Sequence, residues 1–212
     1  VALSRRKLLV GAAAGGGLAV ASALLPRDYP LPDNAAPDET AFGPWLRIAR
    51  DGVTTISVPQ LEMGQGVLTV IAQIVAVELG ADWRQIAVEM APPSALFANV
   101  ALARAWAPLW SPLGSPIDPG AWITKRWAQS HRFMATGDGL SIPAYETAAR
   151  QAAATARALL SMAAAQQWRV PWEQCEVAGG FVQHGPQRLP FAALVDAAAR
   201  LTPPDPPVLR AQ

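Results

Sequence analysis

The sequence predicts an α+β fold, a small mixed sheet of hairpins with packed helices. Three segments predict it: apolar–polar alternation on both sides of Asp51-Gly52, a nearly unbroken apolar run from Gln65 to Leu79, and an Ala-rich amphipathic stretch from Tyr145 to Trp168. With 51% hydrophobic and 16% charged residues among 212, there is apolar material for one ordinary core.

The first 25 residues read as an export signal. Arg5, Arg6 and Lys7 precede a Gly/Ala/Val/Leu stretch ending at Leu25, and the paired arginines point to the twin-arginine route and a periplasmic destination. The stretch is Gly-rich and weakly hydrophobic, whereas a membrane span needs about 20 strongly apolar residues. An uncleaved anchor, with membrane association, is the competing reading. Without this segment 14 basic residues face 16 acidic ones, a net charge of −2, so the body has no nucleic-acid signature. One cysteine and two histidines provide neither an internal disulfide nor a Cys/His zinc site.

Residues 26–44 are rich in Pro, Asp and Ala without periodicity and read as a linker, so the fold is expected over 45–202. Trp45–Arg50 and Val53–Val58 alternate around Asp51-Gly52, a pair that supplies the positive φ of a hairpin turn. Gln65–Leu79 is long enough to favour a buried helix over a strand. Gln85–Met90 alternates again, giving a β–α–β order. Over 92–130, Trp106, Trp110, Trp122 and Trp127 are interleaved with Pro108, Pro112, Pro116 and Pro119, which predicts an irregular excursion. Its indoles either line a substrate approach or subunit contact, or anchor a long loop.

Tyr145–Trp168 has one apolar helical stripe, with Ser141 as cap, Pro143 in the first turn and Glu146–Arg150 as an i,i+4 pair. Cys175–Val177 and Phe181–Gln183 flank Ala178-Gly179-Gly180 as a hairpin, and Pro190–Leu201 reads as a short helix. The Pro-rich 203–212 reads as a linker to a further structured region.

Two loops could carry chemistry. In Glu62-Met63-Gly64-Gln65-Gly66, two glycines allow close backbone approach, a helix N-terminus offers N–H groups, and the Gln65 amide both donates and accepts. A polar heterocycle or a phosphate would suit it, and so would a plain tight turn. Met134–Ser141 repeats the pattern with Thr136, Gly137, Gly139 and Ser141 before a helix, where a flexible connection with a Ser cap is the alternative. No catalytic base or metal ligand is assigned. Glu62, Glu78 and Glu89 read as loop, helix and strand-edge charges, and His131, His184 and Cys175 as structural or exposed.

Taken in order, the Trp45–Ile48 hairpin, the Glu62–Gly66 loop, Ala135-Thr136-Gly137 with Ser141, and the Trp168…Cys175…Gly180…His184 segment resemble a known family. It is that of the molybdopterin-binding large subunits of isoquinoline 1-oxidoreductase and related xanthine dehydrogenase and aldehyde oxidase proteins; the resemblance covers most of 43–209. It implies part of a molybdopterin-binding domain, using molybdopterin cytosine dinucleotide to oxidise N-heterocycles or aldehydes with water-derived oxygen. It also implies a [2Fe–2S] small subunit, a cytochrome c as electron acceptor and a small-molecule substrate. Gly64, Gln65, Gly66, Thr136, Gly137, Gly139 and Ser141 match the cofactor-contacting positions. Asp138 and Leu140 depart from that pattern, and the family's C-terminal glutamate has no counterpart in 212 residues. The resemblance thus implies an N-terminal portion inactive by itself. An exported, non-catalytic binding or interaction domain that has lost the cofactor is the reading from another class, and a two-lobed solute-binding protein is disfavoured by length.

Overall fold

A computed structural model describes residues 29–32, 34–110 and 120–211. Residues 31–212 form one compact unit, and of the preceding unit only Tyr29 and Pro30 are described. The expected export segment and Pro112, Pro116 and Pro119 lie outside the described residues, as do the side chains of Trp110 and Trp122.

The main sheet has the order β1 (Glu39–Ala41), β2 (Leu46–Ala49), β3 (Thr54–Val58), β4 (Ile86–Met90). β1, β2 and β3 are antiparallel neighbours, while β3 and β4 run parallel with Ile56 opposite Val88. The β2–β3 turn is a three-residue loop: the Gly52 N–H donates to Ala49 O and the Ala49 N–H to Val53 O, with Gly52 at φ +95°. A left-handed residue after a turn of this kind lets strand twist continue, which is why glycine sits there. Helix α1 (Val67–Leu79) makes the crossover from β3 to β4 and ends at Gly80 in the left-handed conformation.

The expected α+β class, hairpin, buried helix and β–α–β order hold. The stretch 26–44 differs, since β1 lies within it. Three residues are too few to show a period, and β1 is fixed by its pairing with β2. Arg47, 5% exposed, then ties this sheet together, donating to Glu39 (2.9 Å), to both Glu89 oxygens (2.7 Å each) and to Ser57 Oγ (3.2 Å). Glu89 is therefore an ion-pair partner rather than a stray edge charge.

The irregular excursion expected over 92–130 contains two helices, α2 (Val100–Trp110) and α3 (Gly120–Ser130). Pro108 falls near the end of α2, where it costs a single intrahelical bond and does not break the helix. Asn99 caps α2, accepting from the Leu102 N–H.

Helix α4 (Ser141–Trp168) lies against α1. Ala149, Ala153, Ala156, Ala163 and Ala164 are all 1% exposed or less, and short side chains allow the two helices to approach closely. Trp45 fills the space between sheet and helices, edge-on to Phe97 (5.3 Å) and Tyr145 (5.8 Å). Ser141 is not a cap: it is the first helical residue, and its hydroxyl points inward.

A second antiparallel sheet, β5 (Glu176–Ala178), β6 (Phe181–His184) and β7 (Gln187–Pro190), docks beside the end of α1 through Gly180 N–H to Gly80 O at 2.9 Å. The helix expected over 190–201 shrinks to a 3₁₀ turn and α5 (Val195–Ala198), because Pro190 closes β7.

The Pro-rich stretch from 203, expected as a linker, is pinned down. Glu78 is 2% exposed and accepts from Arg150 (2.9 Å), Arg157 (2.7 Å) and the Arg210 backbone N–H (2.8 Å). The Arg210 guanidinium caps the end of α1 by donating to Glu78 O (3.0 Å) and Val177 O (2.7 Å). Arg150 and Arg157 donate in turn to the carbonyls of Arg210 and Val208. Arg150 thus serves Glu78 and the tail.

Candidate functional site

The two loops singled out by sequence lie side by side. After β3, the chain enters Pro59-Gln60-Leu61, and the Leu61 N–H donates to Thr136 Oγ1 at 2.9 Å. Gln60, 1% exposed, is the latch between them: its Nε2 reaches the carbonyls of Met134 (3.2 Å) and Ala135 (3.4 Å), and its Oε1 accepts from Ser141 Oγ at 2.6 Å. Asn99 adds a bond to Ala135 O at 3.0 Å. Tyr145 donates to Phe97 O at 2.7 Å behind this latch, and burial pushes its phenol far above the usual range.

The first loop is built around Glu62. Its carboxylate accepts from the N–H groups of Gly64 (2.7 Å), Gly66 (2.9 Å) and Leu68 (3.2 Å). Backbone donation, the Gly66 N–H first, holds this carboxyl below its usual range. Of the N–H groups expected to await a ligand at the start of α1, those of Gly66 and Leu68 are therefore already engaged. Gln65 closes on its own loop as well: Oε1 accepts from Met63 N–H (2.5 Å) and Nε2 donates to Leu61 O (2.7 Å). That side chain is exposed, so these bonds compete directly with water.

Gly64 (φ +96°) and Gly66 (φ +79°) are left-handed and have no atom within 4 Å of where a Cβ would stand. Gly139 (φ +65°) in the second loop is equally open. Thr136 is half-buried, and its hydroxyl keeps a proton to donate. Gly137 is different: a Cβ there would stand 3.3 Å from the Trp106 ring, so this glycine serves packing. Asp138 is exposed and accepts from Trp106 Nε1 at 2.5 Å. The structure thus joins the two loops at Leu61–Thr136 and through Gln60, leaves Gly64, Gln65 and Gly139 exposed, and turns Gly137 and Ser141 inward.

Sequence reasoning missed Gln60 and undervalued Glu62. Gln60 gives no local signal, because apart from the carbonyl of its neighbour Pro59 its partners stand 74 to 85 residues away. Glu62 does give one, an acid shortly ahead of a helix, but its reach across two glycines differs from ordinary capping spacing. Among the described residues no group of three or more His, Cys, Asp or Glu could hold a metal, and no helix is long and apolar enough to cross a membrane.

Residues 10–102 match the molybdopterin cofactor-binding domain family, a span that includes the first loop but not the second. Over those residues the chain is similar to a molybdopterin-binding domain. It is similar to the isoquinoline 1-oxidoreductase subunit beta of Brevundimonas diminuta, with 32% identity over 189 residues, 87% of this chain and 20% of that protein. It is also similar to a membrane-bound aldehyde dehydrogenase (pyrroloquinoline-quinone) of Gluconacetobacter polyoxogenes, 30% identical over 111 residues, 50% of this chain and 14% of that one. Among solved structures, quinoline 2-oxidoreductase from Pseudomonas putida 86 aligns with a TM-score of 0.46 and 17% identity, covering 76% of this chain and 17% of the other. The chain spans a fifth or less of the length of each of these proteins.

Proposed function

We propose that this chain is an N-terminal portion of a periplasmic molybdenum hydroxylase subunit, exported by the twin-arginine route. Its substrates would be N-heterocycles or aldehydes, and its cofactor the cytosine dinucleotide form of molybdopterin. The observation that carries the reading is the meeting of the two loops through Gln60 and the Leu61–Thr136 bond, just beyond the C-terminal end of β3. The names of two relatives, an isoquinoline oxidoreductase and an aldehyde dehydrogenase, support the substrate classes.

Gly64, Gly66 and Gly139 would leave room for the pterin system to approach backbone, Gln65 would exchange its two loop bonds for bonds to the ligand, and Thr136 would donate its hydroxyl proton. When bound, the molybdenum–pterin group supplies oxidation of a substrate carbon with oxygen from water. Nothing in this chain is assigned the proton-abstracting role, so by itself it is expected to be inactive. Completion requires the rest of the longer subunit, a [2Fe–2S] partner and an electron acceptor such as a cytochrome c.

The domain division proposed alongside this is an export segment over 1–25 and a partial cofactor-binding domain over 45–202, extended to take in β1 (Glu39–Ala41) and the clamped tail as far as Arg210. An exported, non-catalytic domain that has lost the cofactor is the second reading, favoured by a Gln65 amide whose bonds all close within its own loop. The test is Gln65→Ala in the intact parent subunit, with molybdenum and quinone content measured beside the thermal midpoint. The first reading expects lower molybdenum occupancy at an unchanged midpoint. Unchanged metal content, or a quinone in place of molybdenum, refutes it.

A further inference from the structure

We propose that the outer face of α1 is a docking surface for a later segment of the same polypeptide, which lays apolar side chains into a groove lined by Val77 and Trp83. The proposal rests on one part of the reading above, that this chain is the N-terminal portion of a longer subunit, and on nothing in its cofactor chemistry. α1 has no charged outer face. Its 13 residues contain no base, and the one acid, Glu78, is 2% exposed and held by Arg150 and Arg157. A helix at a surface carries charged residues toward solvent, whereas a helix that is apolar all round belongs in an interior. Spacings of three and four put Val70, Gln73 and Val77 on one side of α1, away from the fully buried Ile71, Ala72, Val75 and Leu79. Val70 is 39% exposed and Val77 71%, so a helix with an interior composition keeps one side bare.

That side opens into a concavity. Val77 and Trp83, the latter 48% exposed in the 3₁₀ turn Trp83–Gln85, line a groove of about 510 Å³ together with Ala76, Gly80 and Ala178. Small residues leave room for side chains arriving from outside, and a half-exposed indole is a residue type enriched at protein contacts. The occupant follows from position and length. Arg210 also lines the groove, anchored by its bonds to Glu78 and Val177, so in a longer subunit the chain that follows sets out from the rim and closes a short loop to reach it. The matched stretch makes up 20% of the isoquinoline 1-oxidoreductase subunit, which leaves most of a protein of that length to cover this unit. A separate copy would need about 1,200 Å² of total buried surface for a stable contact, whereas a tethered segment acts at roughly millimolar effective concentration and needs far less.

Hydroxyl-radical footprinting read by peptide mass spectrometry tests this on the 212-residue chain, on the intact large subunit alone, and on that subunit with its [2Fe–2S] partner. Trp45, 6% exposed, is the internal buried standard. In the 212-residue chain Trp83 should oxidise about eightfold faster than Trp45, the ratio of their exposures; in the large subunit alone the two should oxidise at comparable rates. Val77→Asp should leave the thermal midpoint of the 212-residue chain nearly unchanged and lower that of the large subunit by several degrees, because there the carboxylate is buried without a partner. The proposal is overturned if Trp83 keeps its excess in the large subunit, if it is protected only when the [2Fe–2S] partner is present, or if a second copy already protects it in the 212-residue chain. Where the 212-residue chain does not fold, the rates of Trp83 and Trp45 within the large subunit decide. Neither readout involves molybdenum: a covered Trp83 in a subunit that binds no molybdenum refutes the hydroxylase reading alone, and an exposed Trp83 in a molybdenum-loaded subunit refutes this proposal alone.

Discussion

Replacing Glu78 with Gln probes the tail clamp most directly. The substitution keeps the side chain's size but removes the charge that faces Arg150 and Arg157 and accepts the Arg210 N–H. Removing one partner of a buried ion pair costs about 3–5 kcal/mol, because the other partner stays in poorly solvated surroundings. Both guanidinia here retain 15% side-chain exposure and keep bonds to tail carbonyls, which places the expected loss near 3 kcal/mol. For a unit of this size that lowers the thermal midpoint by roughly 6–12 °C, readable by circular dichroism. The acid limb gives a second reading. Burial raises the Glu78 carboxyl, but the Arg210 N–H and the two guanidinia outweigh it and hold it below the usual range. Its contribution is therefore complete above the unfolded carboxylate pKa and disappears as the pH falls through the lowered folded value, so the unmodified protein should lose stability more steeply in acid than Glu78→Gln. A loss under about 1 kcal/mol, the worth of a surface pair, together with parallel acid limbs, would refute the buried clamp.

Three other perturbations follow from the same geometry. Gly80→Ala should destabilise by about 2–4 kcal/mol in a denaturant titration, since a Cβ would stand 2.6 Å from Val177 O at φ +81°; Gly66→Ala, with open space around it, should cost only about 1 kcal/mol. Arg47→Lys should lose about 2 kcal/mol, because an ammonium cannot reproduce the fork that grips both Glu89 oxygens while reaching Glu39; an unchanged unfolding midpoint would count against the triad. Tyr145→Phe should cost about 1–2 kcal/mol by leaving the buried Phe97 carbonyl without its donor, seen as a lower melting temperature.

What the sequence reveals here is what is decided within a few residues. The Asp51-Gly52 hairpin, the apolar α1 and the alternation of β4 each follow from a local period or a turn dipeptide. Elements decided at long range are illegible. β1 exists because β2 offers it an edge, and residues 208–210 are ordered because Glu78, 132 positions before Arg210, accepts from its backbone N–H. The prolines of 92–130 are read as breakers when counted, yet Pro108 is tolerated near the end of α2. At the site, the glycines and Gln65 are visible as a motif. The occupation of the helix start by Glu62, and the inward turn of Ser141 toward Gln60, belong to distances and not to spacing.

Gln60 also limits how this surface can change. One uncharged side chain holds Met134, Ala135 and Ser141 at once, so neither loop can be recut alone without orphaning polar atoms in the other. Anyone transplanting the Gly64–Gly66 turn onto another scaffold, or swapping it between relatives, must carry the strand end, the 134–141 segment and this amide as a single cassette.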